Sequence, residues 1–190
     1  MKAYTIFAGV NGAGKTSIYK SIYYNENKDE KRINTDEMVS KIGSWQDDNL
    51  QIKCAREAVK LIRYYILEGI SFNQETTLSG KSIIKNIKLA KQNGFYVVMN
   101  YIGVENVEIA KERVRIRVSK GGHGISNEVI ERRYIESLVN LNSAIDICDK
   151  INIYDNTEML KIMMSIEKGK IVWKDKKIPN WLRNSFKSIY

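Results

Sequence analysis

Short apolar runs alternate along this chain with longer stretches in which apolar residues recur every three or four positions. Tyr4 to Ala8 is an apolar run of strand length, and Lys15 to Tyr23 reads as the helix after it. Arg32 to Asn34 is a short second strand. From Gln46 to Glu68, the residues Leu50, Cys54, Ala58, Leu61 and Tyr65 fall on one helical face. Gly69 stops that helix, and Ile70 to Glu75 gives a third strand. Lys81 to Gln92 is a helix closed by Asn93-Gly94, a pair suited to the left-handed turn that ends many helices. Phe95 to Ile102 is the clearest strand. Val107 to Val118 and Asn127 to Ala144 are helical on either side of the Gly121-Gly122 break. Lys150 to Tyr154 is a last core strand, and Ile171 to Trp173 adds a short edge strand. Strands alternating with helices of about ten or more residues predict right-handed βαβ units on a parallel sheet. The expected class is therefore α/β, with ligands at the carboxyl ends of the strands.

No linker, repeat or low-complexity segment divides the 190 residues, and the one proline is Pro179, so a single domain over 1–190 is expected. No apolar run approaches the roughly 20 residues of a membrane helix. The first strand leads straight into a glycine loop, which leaves no room for a signal peptide. Cys54 and Cys148 fit neither metal spacing nor a disulfide framework, so a reduced cytoplasmic protein without membrane association is the simplest reading. The formal charge of +9 has two explanations, a nucleic-acid partner or an enzyme whose ligands are polyanions. The excess is uneven: Lys168, Lys170, Lys174, Lys176, Lys177, Arg183 and Lys187 stand against Asp175 alone in the stretch 168–190, which reads as a solvated basic tail.

Gly9-Val10-Asn11-Gly12-Ala13-Gly14-Lys15-Thr16 fits GxxxxGK with a final Ser or Thr, between a strand and a helix as that motif requires. Gly9, Gly12 and Gly14 permit backbone angles closed to other residues. The loop from Gly9 through Asn11 and Ala13 to Ser17 can then turn its N–H groups toward phosphates. The helix starting near Lys15 aims its positive end at the same spot. Lys15 adds a full charge for the β- and γ-phosphates, and Thr16 a hydroxyl for Mg²⁺, so a nucleotide and Mg²⁺ are the expected ligands. The chain has no NKxD or DxxG motif of a small GTPase. Leu78-Ser79-Gly80-Lys81-Ser82 resembles an ABC signature only superficially, since no hydrophobic run ending in Asp-Glu follows it. Small kinases acting on hydroxyl groups remain.

Three clusters qualify for the rest of such a site. Asp36, 21 residues beyond Lys15, ends the second strand. It suits a group that takes or orients an acceptor proton, and equally well Thr35 or Asp36 caps the next helix. Glu75, at the end of the third strand, can hold a magnesium-bound water or a substrate hydroxyl, and Thr77 can hydrogen-bond substrate, with Ser79 left as the cap of the helix that follows. Arg113, Arg115 and Arg117 precede the glycine break and Arg132 and Arg133 follow it. That arrangement reads either as a lid over about 112–134 carrying arginines to a transferring phosphoryl group, or as a basic helix pair facing solvent. His123, the only histidine, sits in that segment with no chemical role assigned.

The strings GVNGAGKT, INTDE, FNQETTLSG, RVRIRVSKGGHGIS and IERRYIESLVNL occur in this order within about residues 5–156. In that order they resemble the zeta-toxin-like P-loop kinases, in particular a short branch often described as predicted ABC-type ATPases. The resemblance implies a P-loop three-layer αβα sandwich with a mainly parallel sheet and a helical lid, and an ATP- and Mg²⁺-dependent kinase. In the best understood members the acceptor is UDP-N-acetylglucosamine, phosphorylated on the sugar 3′-hydroxyl, and some members are toxins held off by an antitoxin protein. Lys15 and Thr16 match the family's phosphate and magnesium residues, Asp36 its catalytic aspartate, and Glu75 and Thr77 its substrate-side acid and hydroxyl. Arg117 and either Arg132 or Arg133 match its lid arginines, and Tyr154-Asp155-Asn156 the segment near adenine. Where members commonly carry proline, this chain has Val10 and Ser126. The competing reading is a nucleotide-dependent switch that grips nucleic acid with its basic surface; against it stands the lack of any recognised nucleic-acid module.

Overall fold

The computed structural model describes residues 1–27 and 29–186. Five parallel strands carry the apolar runs: β1 (Ala3–Ala8), β2 (Lys31–Ile33), β3 (Phe72–Thr76), β4 (Tyr96–Gly103) and β5 (Lys150–Asp155). They stand in the order β2-β3-β1-β4-β5, and the sheet continues through β6 (Lys161–Glu167) and β7 (Lys170–Lys174), both antiparallel. β1 is central and covered on both faces. Tyr4, Ile6 and Ala8 point into one core with α3 (Asp48–Leu67), α4 (Ser82–Gln92), α6 (Asn127–Ile145) and α7 (Asn180–Ser185). Phe7 points into the other, with α1 (Lys15–Ile18) and α5 (Val107–Ser119). Burial on both faces is why β1 reads as a continuous apolar run and not as an alternating one. The α/β class with a mainly parallel sheet, expected from sequence, is the observed one.

Local signals explain most boundaries. Asp47, Asn106 and Ser126 accept hydrogen bonds from the first turns of α3, α5 and α6. Ser126 thus caps α6 at a position where proline is common among the resembling kinases. Gly94, at φ 75°, ends α4 as Asn93-Gly94 predicts. Other expectations need correction. The helix predicted over 15–23 is α-helical only to Ile18 and opens into a π turn over Tyr19–Tyr23, where Tyr19 and Tyr23 both rest edge-on against Phe7. β5 is not the last core strand, because β6 follows it and buries Met164 and Ile166.

The basic stretch 168–190 is likewise more than a solvated tail. Its described part forms β7 and α7, and Trp181, Leu182 and Phe186 are buried in the larger core; Lys187 lies outside the described residues. Trp181 packs on Tyr101 and against Gly103, and its Nε1 donates to Asp155 Oδ1 at 2.8 Å. No helix among the described residues is long and apolar enough to cross a membrane. Trp181→Ala is expected to cost about 3–5 kcal/mol, the range for truncating a buried aromatic. A urea midpoint unchanged from the parent protein would mean that the C-terminal segment does not hold the core.

Candidate active site

The glycine loop closes over the carboxyl end of β1. Gly9 has φ 140° and Gly12 φ 79°. A side chain at Gly9 would collide with the Ile102 carbonyl oxygen, and at Gly12 it would lie 2.6 Å from that of Ala110, so the loop is pressed between β4 and α5. Lys15 is 8% exposed, and its Nζ donates to the Val10 carbonyl at 3.1 Å. Burial lowers its pKa, Glu75 and Asp36 oppose that shift, and Arg117 and Arg133 add to it. Thr16 Oγ1 donates to both oxygens of Glu75, at 2.9 and 3.0 Å. Asn156 Nδ2 donates to the Ala13 carbonyl at 2.8 Å, which ties the segment after β5 to the loop.

The acceptor side is built from the ends of β2 and β3. The cap of α2 (Thr35–Ser40) is Asn34, whose Oδ1 accepts from the N–H groups of Asp36 and Glu37, at 3.0 and 3.3 Å. Neither Thr35 nor Asp36 is spent on capping, and the Asp36 carboxylate faces the cavity from the first turn of the helix. Glu75 also accepts from Asn34 Nδ2 at 3.0 Å and Arg32 Nη2 at 2.7 Å. Ser79 is not the cap of α4. Its hydroxyl pairs with Thr77 Oγ1 at 2.8 Å, and the cap position is Lys81, without a side-chain bond.

A cavity of about 540 Å³ joins these parts, and Lys15, Thr16, Asp36, Glu75, Thr77, Arg117 and Arg133 all line it. Arg133 donates to Asn11 Oδ1 at 3.0 Å, whereas Arg132 turns outward, 3.9 Å from Glu136 and 64% exposed. Of the adjacent pair, Arg133 is therefore the one at the cavity. Nε and Nη2 of Arg117 are buried without a hydrogen-bond partner, and so is Nδ1 of His123. His123 Nε2 lies 3.9 Å from Asp36 Oδ1, with the ring against Trp45. Ser17 is exposed and outside the cavity lining; its N–H bonds to the Gly14 carbonyl within the first turn. Sequence reasoning missed Arg32 and Asn34, whereas Asn156 lies in the segment that the resemblance set beside the nucleotide. Only Arg32 left a signal, a charge inside a strand with Asn34 two residues on, on the same face.

Residues 1–167 match the family described as Zeta toxin. The chain belongs to the zeta toxin family. A relative in Haemophilus influenzae, described as an uncharacterized protein, is 38% identical over 128 residues, 67% of this chain and 89% of that one. Among solved structures, this zeta toxin family member superposes on a chain of the AvrRxo1-ORF1:-ORF2 complex with ATP at a TM-score of 0.72 and 16% identity. The match covers all of this chain but only 63% of that one. It also superposes on a chain of the PezAT chromosomal toxin-antitoxin system of Streptococcus pneumoniae at 0.63 and 18%, covering all of this chain and 77% of that one. At these identities the likeness is one of fold.

Two outcomes follow for the zeta toxin family site. ATP at about 100 times its Kd should raise unfolding free energy by about 2.7 kcal/mol, and Lys15→Ala should abolish the gain. Equal urea midpoints with and without ATP in the parent protein would count against the loop as a phosphate site. The second concerns pH. Burial lowers the His123 pKa, Asp36 opposes this, and Arg117 and Arg133 reinforce it. The unfolded chain then takes up the proton first, so stability should fall as pH drops below about 6.5. His123→Gln should lack that component; identical slopes in parent and variant would show that His123 does not carry it.

Proposed function

We propose that this member of the zeta toxin family is an ATP- and Mg²⁺-dependent kinase with a small-molecule hydroxyl acceptor, UDP-N-acetylglucosamine being the first to test. The observation that carries this reading is the convergence of Lys15, Arg117 and Arg133 with Asp36 on one cavity, where two buried guanidinium nitrogens of Arg117 lack a partner. Phosphate oxygens are the ligand that satisfies such donors. Loop amides and Lys15 hold the triphosphate. The acceptor oxygen attacks the γ-phosphorus, the bond to the β,γ-bridging oxygen breaks, ADP leaves, and Asp36 takes or orients the acceptor proton. Arg117 and Arg133 neutralise charge on the transferring group, and Thr77 contacts substrate. Among the described residues no three acidic, histidine or cysteine side chains form a metal cage. The Thr16 hydroxyl beside the Glu75 carboxylate instead fits Mg²⁺, which takes few protein ligands and completes its shell with water and phosphate oxygens. When bound, it screens the β- and γ-phosphate charge. The segment of about 112–134, from the second half of α5 through the turn to the start of α6, acts as the lid of a single domain. We place the reaction in the cytoplasm, with an antitoxin protein as partner by analogy with PezAT.

Incubation with ATP and UDP-N-acetylglucosamine, followed by mass spectrometry, should show the sugar nucleotide gaining one phosphate. Asp36→Asn should lose about 10²–10⁴ in turnover with ATP affinity little changed. Undiminished turnover in that variant would remove Asp36 from the role. Arg133→Ala should lose about 10³ or more, and Arg132→Ala far less; the reverse order would overturn the assignment within the pair.

A further inference from the structure

Arg32 belongs to none of the nucleotide motifs and does not line the cavity. Yet its side chain, 12% exposed, touches β3, α2 and the turn that continues α1. Nη2 donates to Glu75 Oε2 at 2.7 Å on β3, and Nη1 to Asn73 Oδ1 at 3.0 Å on the same strand. Nε and Nη2 reach the Glu37 carboxylate on α2 at 2.9 to 3.2 Å. The guanidinium plane lies over the Tyr19 ring, 3.5 Å from its centre, in the turn that continues α1.

The two carboxylate partners are each one step from a group assigned to the reaction. Glu75 accepts from Thr16 in the first turn of α1. Glu37 follows Asp36 directly, and both N–H groups are held by Asn34, whose amide also donates to Glu75. One planar fork therefore ties the phosphate end of the cavity to the acceptor end. A lysine has one point charge and no plane, so it cannot serve two carboxylates and a ring at once. Without a cation between them, Glu75 and Glu37 would be two like charges set against the same guanidinium position with nothing to hold them in place.

We propose that Arg32 is the positioning residue that couples the two halves of the site, setting Glu75 against Thr16 and, through Glu37, the turn that carries Asp36. This rests on the kinase reading of the cavity. It predicts a division of labour. Loop amides and Lys15 grip nucleotide without Arg32, whereas the magnesium-dependent part of binding and the turnover depend on it.

The test is a double-mutant cycle of Arg32→Met with Glu75→Gln, read as ATP turnover and as nucleotide affinity by calorimetry, with Mg²⁺ and with EDTA. Arg32→Met is expected to lose about 10–100-fold in turnover, keep its EDTA affinity within about twofold, and add little to the loss already caused by Glu75→Gln. Arg32→Lys, which retains a cation for one carboxylate, should fall between Arg32→Met and the parent protein, and it carries the cycle if Arg32→Met fails to fold. Losses that multiply in the double variant would overturn the inference, and so would EDTA affinity that falls in step with turnover. A parent protein that binds no nucleotide would refute the kinase reading itself, and the inference with it.

Discussion

The site depends on keeping cations out of water without enough anions to match them. Lys15 has a carbonyl for a partner, two of Arg117's nitrogens have none, and Arg133 leans on an amide oxygen. Burial opposes the charge on Lys15 and Arg133 alike. Buried, poorly paired cations of this kind cluster where proteins bind ligands. Glycine makes the cluster geometrically possible, because the loop must pass against the carbonyls of β4 and α5 where no Cβ fits. The buried, poorly paired cations and the tight approach of the backbone are two sides of one arrangement that suits a polyanion.

The carboxylates are treated in the opposite way. Glu75 is surrounded by donors from Thr16, Arg32 and Asn34 and is fixed before any ligand arrives. Asp36 stands half in solvent, with the His123 imidazole 3.9 Å from its Oδ1. A group that must exchange protons benefits from that access, while a group that must hold a geometry benefits from being pinned.

What could be read from the sequence was what is encoded locally. The phosphate loop is a contiguous string whose glycines have a mechanical reason, and the parallel strands are apolar because both faces are covered. The α2 cap was misplaced by one or two residues, since Asn34, Thr35 and Asp36 are all good caps and only the observed turn chooses among them. Arg132 and Arg133 differ by about 100° around a helix, and which one points inward depends on how α6 packs, which neighbouring residues do not encode. The tail deceived for a similar reason. Its described basic side chains do face water, but Trp181, Leu182 and Phe186 gain their meaning only from packing against Tyr101, Gly103 and α6, far away in the chain.

The strand order also leaves two open edges, β2 and β7. Open edges invite pairing with any extended chain nearby. β2 offers three residues, and the exposed one is Lys31. β7 is bracketed by Lys170 and Lys174, with the exposed Val172 and Trp173 between them. Lysines at the ends of a strand discourage a second strand from docking, because it would have to bring its own backbone against fixed positive charge. Part of the chain's basic excess thus lies away from the cavity, along the edges of a sheet that never closes, where it discourages self-association.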